Sequence, residues 1–390
     1  MTKSIWGYKA TLKLLLAVAI GTCAPKVAIP VVAQSLPTPA MTAPLQTASP
    51  HSFDVGPFGK LDVTGVVSGM GLWEGHHVPG DDTTQADLSN GQLFIQKNTG
   101  WWQFYLQAGA YDIPALGTPF LSTGDTVSEF FGPLPVGYLK LAPTKGFSIL
   151  FGAMPAVLGD EYTFTFENMN IERGLLWGQT NSINRGVELN GNFGKVTALL
   201  SWNDGYYSNR YTWLMGSLTY AINSANTLTF IGGGNLGKAA LPTPVTPLQN
   251  NGSLYDLIYT SIKGPWTIQP YIQYNLVPAN QNIGIKHGAA TRGGAILVNY
   301  NFTHDLSLAT RGEYISTTGS AGEGSANLLY GPDSGGWSFT LTPTFQDHGF
   351  FTRGDFSIVQ ATNLTPGDGL GPLGLNRTQT RGAIEVGFMF

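Results

Sequence analysis

Apolar and polar residues alternate along most of this chain, the pattern of strands that have one apolar and one polar face. In WWQFYLQAGAY, from residue 101, alternate positions are tryptophan, phenylalanine, leucine and alanine, with polar residues between them. WTIQPYIQYNL, from residue 266, and WSFTLTPTFQ, from residue 337, alternate in the same way. No segment after residue 34 has 18 consecutive apolar residues, which excludes a transmembrane helix there. Soluble β-sandwiches show the same alternation, so three further features are needed to distinguish a membrane barrel from a soluble sandwich.

The first feature is the end of the chain. Phe388 and Phe390 share one face of the last predicted strand, whereas Arg381 and Glu385 face the other way. A final strand with a terminal aromatic residue resembles the signal that the bacterial outer-membrane insertion machinery reads. We therefore interpret Phe388 and Phe390 as a membrane-insertion signal, and the insertion machinery as a partner.

The second and third features are aromatic placement and loop rhythm. Tryptophans lie near strand ends, as in the aromatic girdles of membrane barrels. Long and short connections alternate, and this predicts 16 strands with both chain ends on the periplasmic side. The predicted strands begin near Gly59, Gly91, Trp101, Pro135, Phe147, Ser182, Val196, Tyr211, Asn226, Gly252, Trp266, Thr291, Leu306, Trp337, Phe350 and Arg377. The predicted fold class is thus all-β, a transmembrane antiparallel up-and-down barrel, wide enough for an aqueous channel.

Two details fit this pattern less well. Pro270 and Pro343 lie within predicted strands, where a missing N–H breaks the ladder unless a bulge absorbs it. ANLLYG, from residue 326, resembles a short strand that would spoil the even count. We assign it to a folded extracellular loop.

The N-terminal segment has the features of a secretory signal peptide, predicted to cover residues 1–33. Three lysines precede an apolar stretch of 11 residues, from Leu14 to Ala24, and Val31 and Ala33 suit a cleavage site before Gln34. Residues 34–58 are interpreted as a flexible lead-in rich in Pro, Thr and Ala, and residues 59–390 as the barrel. Cleavage would remove the only cysteine, so no disulfide framework is expected.

Composition excludes several further kinds of protein. Apolar residues make up 42% of the chain but charged residues only 11%, against roughly 25% in ordinary soluble domains. This excludes intrinsic disorder, and a net charge of −4 argues against a nucleic-acid partner. No catalytic motif, phosphate loop or metal-ligand set is present, since His76 and His77 are adjacent and would point apart. We predict neither an enzyme nor a bound cofactor or metal.

A pore needs only a polar lumen and a constriction. Charged residues on predicted inward faces form three pairs that could be ion pairs: Arg311 with Glu313, Arg353 with Asp355, and Arg381 with Glu385. The long loops 112–134 and 155–181 carry the other candidates for a constriction: Asp125, Glu129, Asp160, Glu161, Glu167, Glu172 and Arg173. A loop folded into the lumen with several carboxylates would favour cations, because a narrow low-dielectric passage focuses the field. The alternative is that these charges only solvate the wall or an exposed loop.

Three stretches resemble the OmpL-like β-barrel porins: residues 108–143, residues 151–190 with ENMNIERG at 167–174, and LSWNDGYYSNRYTWL from residue 200. The resemblance is densest from Trp101 to Ile222 and implies an outer-membrane diffusion channel without a cofactor. It brings no catalytic residues and names no solute. We expect ENMNIERG to pack in or over the lumen.

The predicted function is a bacterial outer-membrane porin that passes small hydrophilic solutes or ions, surrounded by outer-membrane lipid. One alternative is a selective sugar or organic-acid channel with a track of aromatic residues, Trp101, Tyr105 and Tyr271. Another is a barrel plugged by its loops that serves as an adhesin or anchor. A homotrimer is left open, since no interface face can be identified from the sequence.

Overall fold

A computed structural model describes residues 45–157, 159–237 and 247–390. The predicted signal peptide, residues 1–33, and the first part of the predicted lead-in lie outside the described residues. None of the described helices is both long enough and apolar enough to cross a membrane.

The chain forms a closed antiparallel barrel of 16 strands, which confirms the predicted fold class. Each strand pairs with the next along the chain, and the last pairs with the first to close the ring. A short additional strand, β1 (His51–Asp54), precedes the barrel. The barrel strands are β2 (Lys60–Gly75), β3 (Thr84–Lys97), β4 (Trp102–Tyr111), β5 (Val136–Thr144), β6 (Phe147–Pro155), β7 (Ile183–Phe193), β8 (Val196–Asn203), β9 (Trp213–Asn223), β10 (Asn226–Asn235), β11 (Ser253–Lys263), β12 (Trp266–Val277), β13 (Ala289–Asn301), β14 (Leu306–Thr317), β15 (Gly335–Asp347), β16 (Phe350–Thr362) and β17 (Thr378–Met389).

The predicted strand starts agree closely with these bounds, except that β3 begins at Thr84 rather than near Gly91. A bulge explains the difference, since Ser68 of β2 pairs with Asn90 while Gly69 pairs with Leu88. The extra residue, Ser89, lets the pairing continue beyond the point where the alternation breaks.

The two mid-strand prolines are accommodated without bulges, contrary to the expectation. On either side of Pro270, β11 and β12 keep one register: Ile258 pairs with Tyr271 and Ser261 with Ile268. The register of β15 and β16 is likewise unchanged across Pro343. Pro270 keeps its pairing with β13, and Pro343 keeps its pairing with β14. Only the pairing with β11 or β16, toward which the missing N–H would point, is interrupted.

The barrel seam involves both ends of the described chain. The N–H of Phe390 donates to the carbonyl of Gly65 at 3.0 Å, and the N–H of Gly65 donates back at 2.7 Å. Strand β1 pairs with Lys60–Val63 and so continues the line of β17 along β2. The described part of the predicted lead-in is therefore ordered against the barrel, because β2 extends beyond the end of β17 and offers unpaired backbone groups. The barrel boundary at residue 59 stays a prediction.

The two faces of the barrel wall follow the predicted alternation. Outward positions carry exposed apolar side chains, such as Ile272, Phe339 and Phe356, whereas inward positions are mostly polar and buried. ANLLYG is a loop, with Leu328 and Tyr330 buried in packing at the end of the barrel that has the long loops. A single short α-helix, α1 (Thr123–Glu129), lies in another long loop of the described chain.

Candidate functional site: the lumen and its inserted loop

The connection between β6 and β7, which we term the inserted loop (residues 156–182), folds into the lumen. Nearly all its described residues are buried, from Glu161 through Leu176. Arg173 ties it together: its Nε and Nη2 donate to the carbonyl of Thr163 and its Nη1 to that of Ile171. Because burial disfavours the charged guanidinium, the pKa of Arg173 falls to about 10. The expectation that ENMNIERG packs in the lumen is thus met.

Three arginines of the wall hold this loop, one each from β14, β16 and β17. Arg311 pairs with Glu161 and donates to the carbonyl of Glu172 at 2.8 Å. Arg353 donates to two further loop carbonyls, those of residues 165 and 168, each at 2.9 Å. Arg381 lies 2.9 Å from the Glu172 carboxylate. All three side chains are essentially without solvent exposure, so these contacts are made in a low-dielectric interior.

Wall carboxylates bind the backbone of the same loop. Glu313 accepts hydrogen bonds from the N–H groups of Leu175 and Leu176 at 2.8 and 3.1 Å. Asp355 accepts from the N–H of Glu172 at 3.0 Å. The approach is so close at Gly174 that a Cβ there would lie 2.5 Å from an oxygen of Glu313. A larger residue at this position would therefore displace the Glu313 carboxylate from its hydrogen bonds to the loop.

In two of the three predicted ion pairs, the arginine pairs with a carboxylate other than the predicted one. Arg353 pairs with Glu385 rather than Asp355, and Arg381 pairs with Glu74 and Glu172 rather than Glu385. Both wall partners lie directly opposite on the neighbouring strand. Residues opposite each other have Cβ atoms about 5 Å apart, whereas residues i and i+2 on one strand are about 6.6 Å apart. Only Arg311 and Glu313 pair as predicted, at 3.6 Å.

The remaining predicted site residues separate into two groups. Asp125 and Glu129 are exposed on α1 and are not members of the ion pairs that hold the inserted loop. Glu161, Glu167, Glu172 and Arg173 are buried within the inserted loop, and Asp160 is partly buried there. The wall charges thus hold a loop in place instead of lining open water.

The predicted aromatic track is not formed. Trp101 is 62% exposed in the turn before β4, and the ring of Tyr105 is buried against Phe94 and Tyr138. Tyr271 is buried in an apolar cluster that includes Leu175 and Leu176 of the inserted loop.

The inserted loop leaves a cavity of about 380 Å³ beside it in the lumen. We term it the acidic cavity, since it is lined by four carboxylates, Asp160, Glu161, Glu167 and Glu188, and by no lysine or arginine among the described residues. The wall of this cavity comes from β5 to β8 and from β10 to β12. A second cavity of about 290 Å³ shares Pro155 and Glu188 with it and reaches the turns at Gly146 and Asn192, at the end of the barrel with short turns.

Burial changes the titration of the carboxyl groups that the loop brings to the acidic cavity. It raises the pKa of Glu167 to about 8, against a smaller opposing effect of the Phe164 N–H and of Arg173. It also raises the pKa of Asp160 to about 8, with a further contribution from the neighbouring carboxylates of Glu161 and Asp256. Both groups therefore change charge near neutral pH.

Sequence reasoning missed Glu74, Glu188 and Asp256 as lumen residues. Each lies on an inward position of its strand, so the two-residue period identified the face but not the importance of the position. Glu188 gains its role from the cavity that the inserted loop leaves, and Asp256 accepts from the N–H of Gly159 at 3.0 Å. Neither relationship is visible within one strand.

Among the described residues, no three His, Cys, Asp or Glu side chains come together as a metal site.

The model of the family described as "Putative beta-barrel porin-2, OmpL-like" matches residues 60–390. The search of curated proteins returned no match to this chain.

Solved structures of outer-membrane channels share the fold. DcaP of Acinetobacter baumannii has a TM-score of 0.56 at 10% identity, covering 85% of this chain and 97% of its own. OmpF of Salmonella typhi, in a complex with daunomycin, has a TM-score of 0.54 at 12% identity, covering 85% and 98%. OmpT of Vibrio cholerae, in a trimer form, has a TM-score of 0.53 at 9% identity, covering 85% and 99%. At such identities the likeness is one of fold.

Proposed function

The chain belongs to the OmpL-like family of β-barrel porins and is a porin of the bacterial outer membrane, and we propose that its pore prefers cations because solutes pass along the acidic cavity. In this proposal the inserted loop forms the constriction. The three wall arginines and their partners fix the loop to one side of the lumen, and diffusion of small hydrophilic solutes takes place on the other.

The observation that carries this proposal is the carboxylate lining of the acidic cavity. Asp160, Glu167 and Glu188 line it beside Glu161, which is ion-paired with Arg311 of the wall. The acidic cavity presents carboxylates without an arginine or lysine in its described lining. A low-dielectric wall focuses the field of these groups, which raises the local concentration of cations and lowers that of anions.

The chain acts without a catalytic step, as its family and fold are those of diffusion channels. It also assembles as a homotrimer in the outer membrane, which is supported by the trimer form of one protein of the same fold. Its mass in detergent, measured by light scattering, tests this assembly, and a monomer would contradict it.

Single-channel current in a planar bilayer under a salt gradient tests the pore itself. We expect stable ohmic steps and a reversal potential of the sign that indicates cation preference. At pH 9, where both groups are ionised, the double variant D160N/E167Q should shift the reversal potential toward zero, because it removes two carboxylates of the acidic cavity. D125N/E129Q is the matched control, since it removes two carboxylates from exposed α1 and should behave as the wild type. Folded protein without steps would favour a plugged barrel, and equal shifts in both double variants would place the constriction elsewhere.

A further inference from the structure

The charge of the lumen lining changes sign along the barrel. The second cavity, which we term the exit cavity, adjoins the acidic cavity at Pro155 and Glu188 and reaches the end of the barrel with short turns. Its described lining contains one lysine, Lys140, and no carboxylate other than Glu188. The acidic cavity, by contrast, has four carboxylates and no lysine or arginine in its described lining. A solute that leaves the acidic cavity past Glu188 therefore meets a lysine.

Strand register places Lys140 and Glu188 at one level of the barrel wall. Leu150 of β6 pairs with Lys140 of β5 on one side and with Glu188 of β7 on the other. Two strand spacings, about 10 Å, separate their backbones. Both residues face the lumen and are mostly buried, with exposed fractions of 5% and 7%. Glu188 also accepts a hydrogen bond from Nδ2 of Asn190 at 2.8 Å. The acidic lining thus gives way to the basic one at this level.

Two further lysines flank the exit cavity. It reaches Gly146 in the β5–β6 turn and Asn192 at the β7–β8 turn. Lys145 and Lys195 lie in the same two turns and are exposed, and Nζ of Lys195 donates to the carbonyl of Ile222 at 3.3 Å. Neither turn contains an aspartate or a glutamate. The exit side therefore carries three lysines against the single carboxylate of the junction.

An acidic and a basic segment in series conduct salt unequally in the two directions. The acidic segment concentrates cations and the basic segment concentrates anions. When the side of the long loops is positive, cations cross the acidic segment toward the junction and anions cross the basic segment toward it. Both ions then accumulate at the junction, and the current is large. The opposite voltage draws both ions away from the junction, so the passage is depleted of ions and the current falls.

We propose that this pore rectifies, passing more current when the side of its long loops is positive, and that Lys140, Lys145 and Lys195 cause the asymmetry. The inference rests on the proposed cation-preferring passage along the acidic cavity, and it assigns the periplasmic exit of that passage to the exit cavity. Under a voltage across the membrane, cations then pass more readily toward the periplasm than away from it.

Single-channel current–voltage curves of the refolded full-length protein test this proposal, in equal salt on both sides and at pH 8.5. Asp160 and Glu167, with pKa values of about 8, are mostly ionised at that pH. In about 0.1 M KCl we expect about twofold more current at one polarity, and equal currents in 1 M KCl, because the Debye length falls from about 10 to about 3 Å. A peptide tag inserted after Glu323, in an exposed long loop, reports the orientation of each channel through the block by its antibody added to one side.

Two variants test the lysines. K145Q/K195Q and Lys140→Met should each bring the two currents closer to equality, since each removes positive charge from the exit side. K145Q/K195Q changes exposed turns alone, so it keeps the test valid if Lys140→Met does not fold. K60Q/K263Q is the matched control and should rectify as the wild type does, because Lys60 and Lys263 are exposed at the same end of the barrel but lie on β2 and β11, outside the exit cavity.

The outcomes separate the rectification from the pore itself. Cation preference with equal currents at both polarities would overturn the rectification and leave the proposed function standing, as would larger currents at the opposite polarity. Undiminished asymmetry in K145Q/K195Q, or an equal loss in K60Q/K263Q, would overturn the role of the exit cavity. Folded protein without current steps would overturn the pore and the rectification together.

Discussion

The carboxylate of Glu172, in the inserted loop, lies 2.9 Å from Nη1 of Arg381, in the last strand of the barrel. Arg381 also pairs with Glu74 of β2, across the seam where the barrel closes. One guanidinium thus joins the first barrel strand, the last strand and the loop that fills the lumen. Nη1 also donates to the carbonyl of Ala115 in the β4–β5 connection, at 2.6 Å.

Replacing Arg381 with Met should loosen both the seam and the inserted loop. Removing one partner of a buried ion pair typically costs about 3–5 kcal/mol, since the other charge is left buried. We expect a lower temperature of heat-modifiable unfolding on gels, and larger, noisier single-channel currents. Arg292→Met is the control, because Arg292 is exposed on β13; equal effects of the two variants would contradict this role.

Replacing Gly174 with Val should displace the inserted loop without removing any charge. The new Cβ would lie 2.5 Å from an oxygen of Glu313, and overpacking of this kind costs about 1–3 kcal/mol. Faster cleavage of the loop by added protease should report the displacement. Gly178→Val is the control, since nothing lies within 4 Å of a Cβ there. A protected loop in Gly174→Val would show that the contact with Glu313 is dispensable.

Cation preference should increase as pH rises from about 7 to 9. The pKa values of Asp160 and Glu167 are raised to about 8, so both groups are largely neutral at lower pH and gain negative charge above it. Carboxyl groups with ordinary pKa values near 4 would give no change in this range. Reversal potentials across the pH range measure the effect, and a pH dependence that persists in D160N/E167Q would assign it to other groups.

Replacing Phe390 with Ser should impair insertion into the outer membrane while leaving export intact. Its ring lies over Gly65 of β2, and its backbone pairs with the same residue. The readout is the fraction of heat-modifiable barrel in outer-membrane preparations. Phe302→Ser, in an exposed turn, is the control. Normal assembly of the Phe390 variant would remove the role assigned to the terminal aromatic residue.

Much of the fold could be read from single strands. Inward and outward faces alternate residue by residue, and short turns are marked by residues such as Lys263 and Gly264. This local information was enough for the number of strands and for nearly all their starts. It failed at β3, where the bulge at Ser89 shifts the alternation, because a bulge depends on the partner strand.

The candidate site could be predicted only in part. The sequence by itself determined which residues are charged, which of them face inward, and that ENMNIERG belongs to a long connection. Only the tertiary structure decided that Arg353 pairs with Glu385, that Asp125 is exposed on α1, and that Asp160, Glu188 and Gln269 line one cavity. The physical reason is distance along the chain: alternation is a property of neighbouring residues, whereas ion pairs and cavities depend on strand register and on the path of a loop through the barrel.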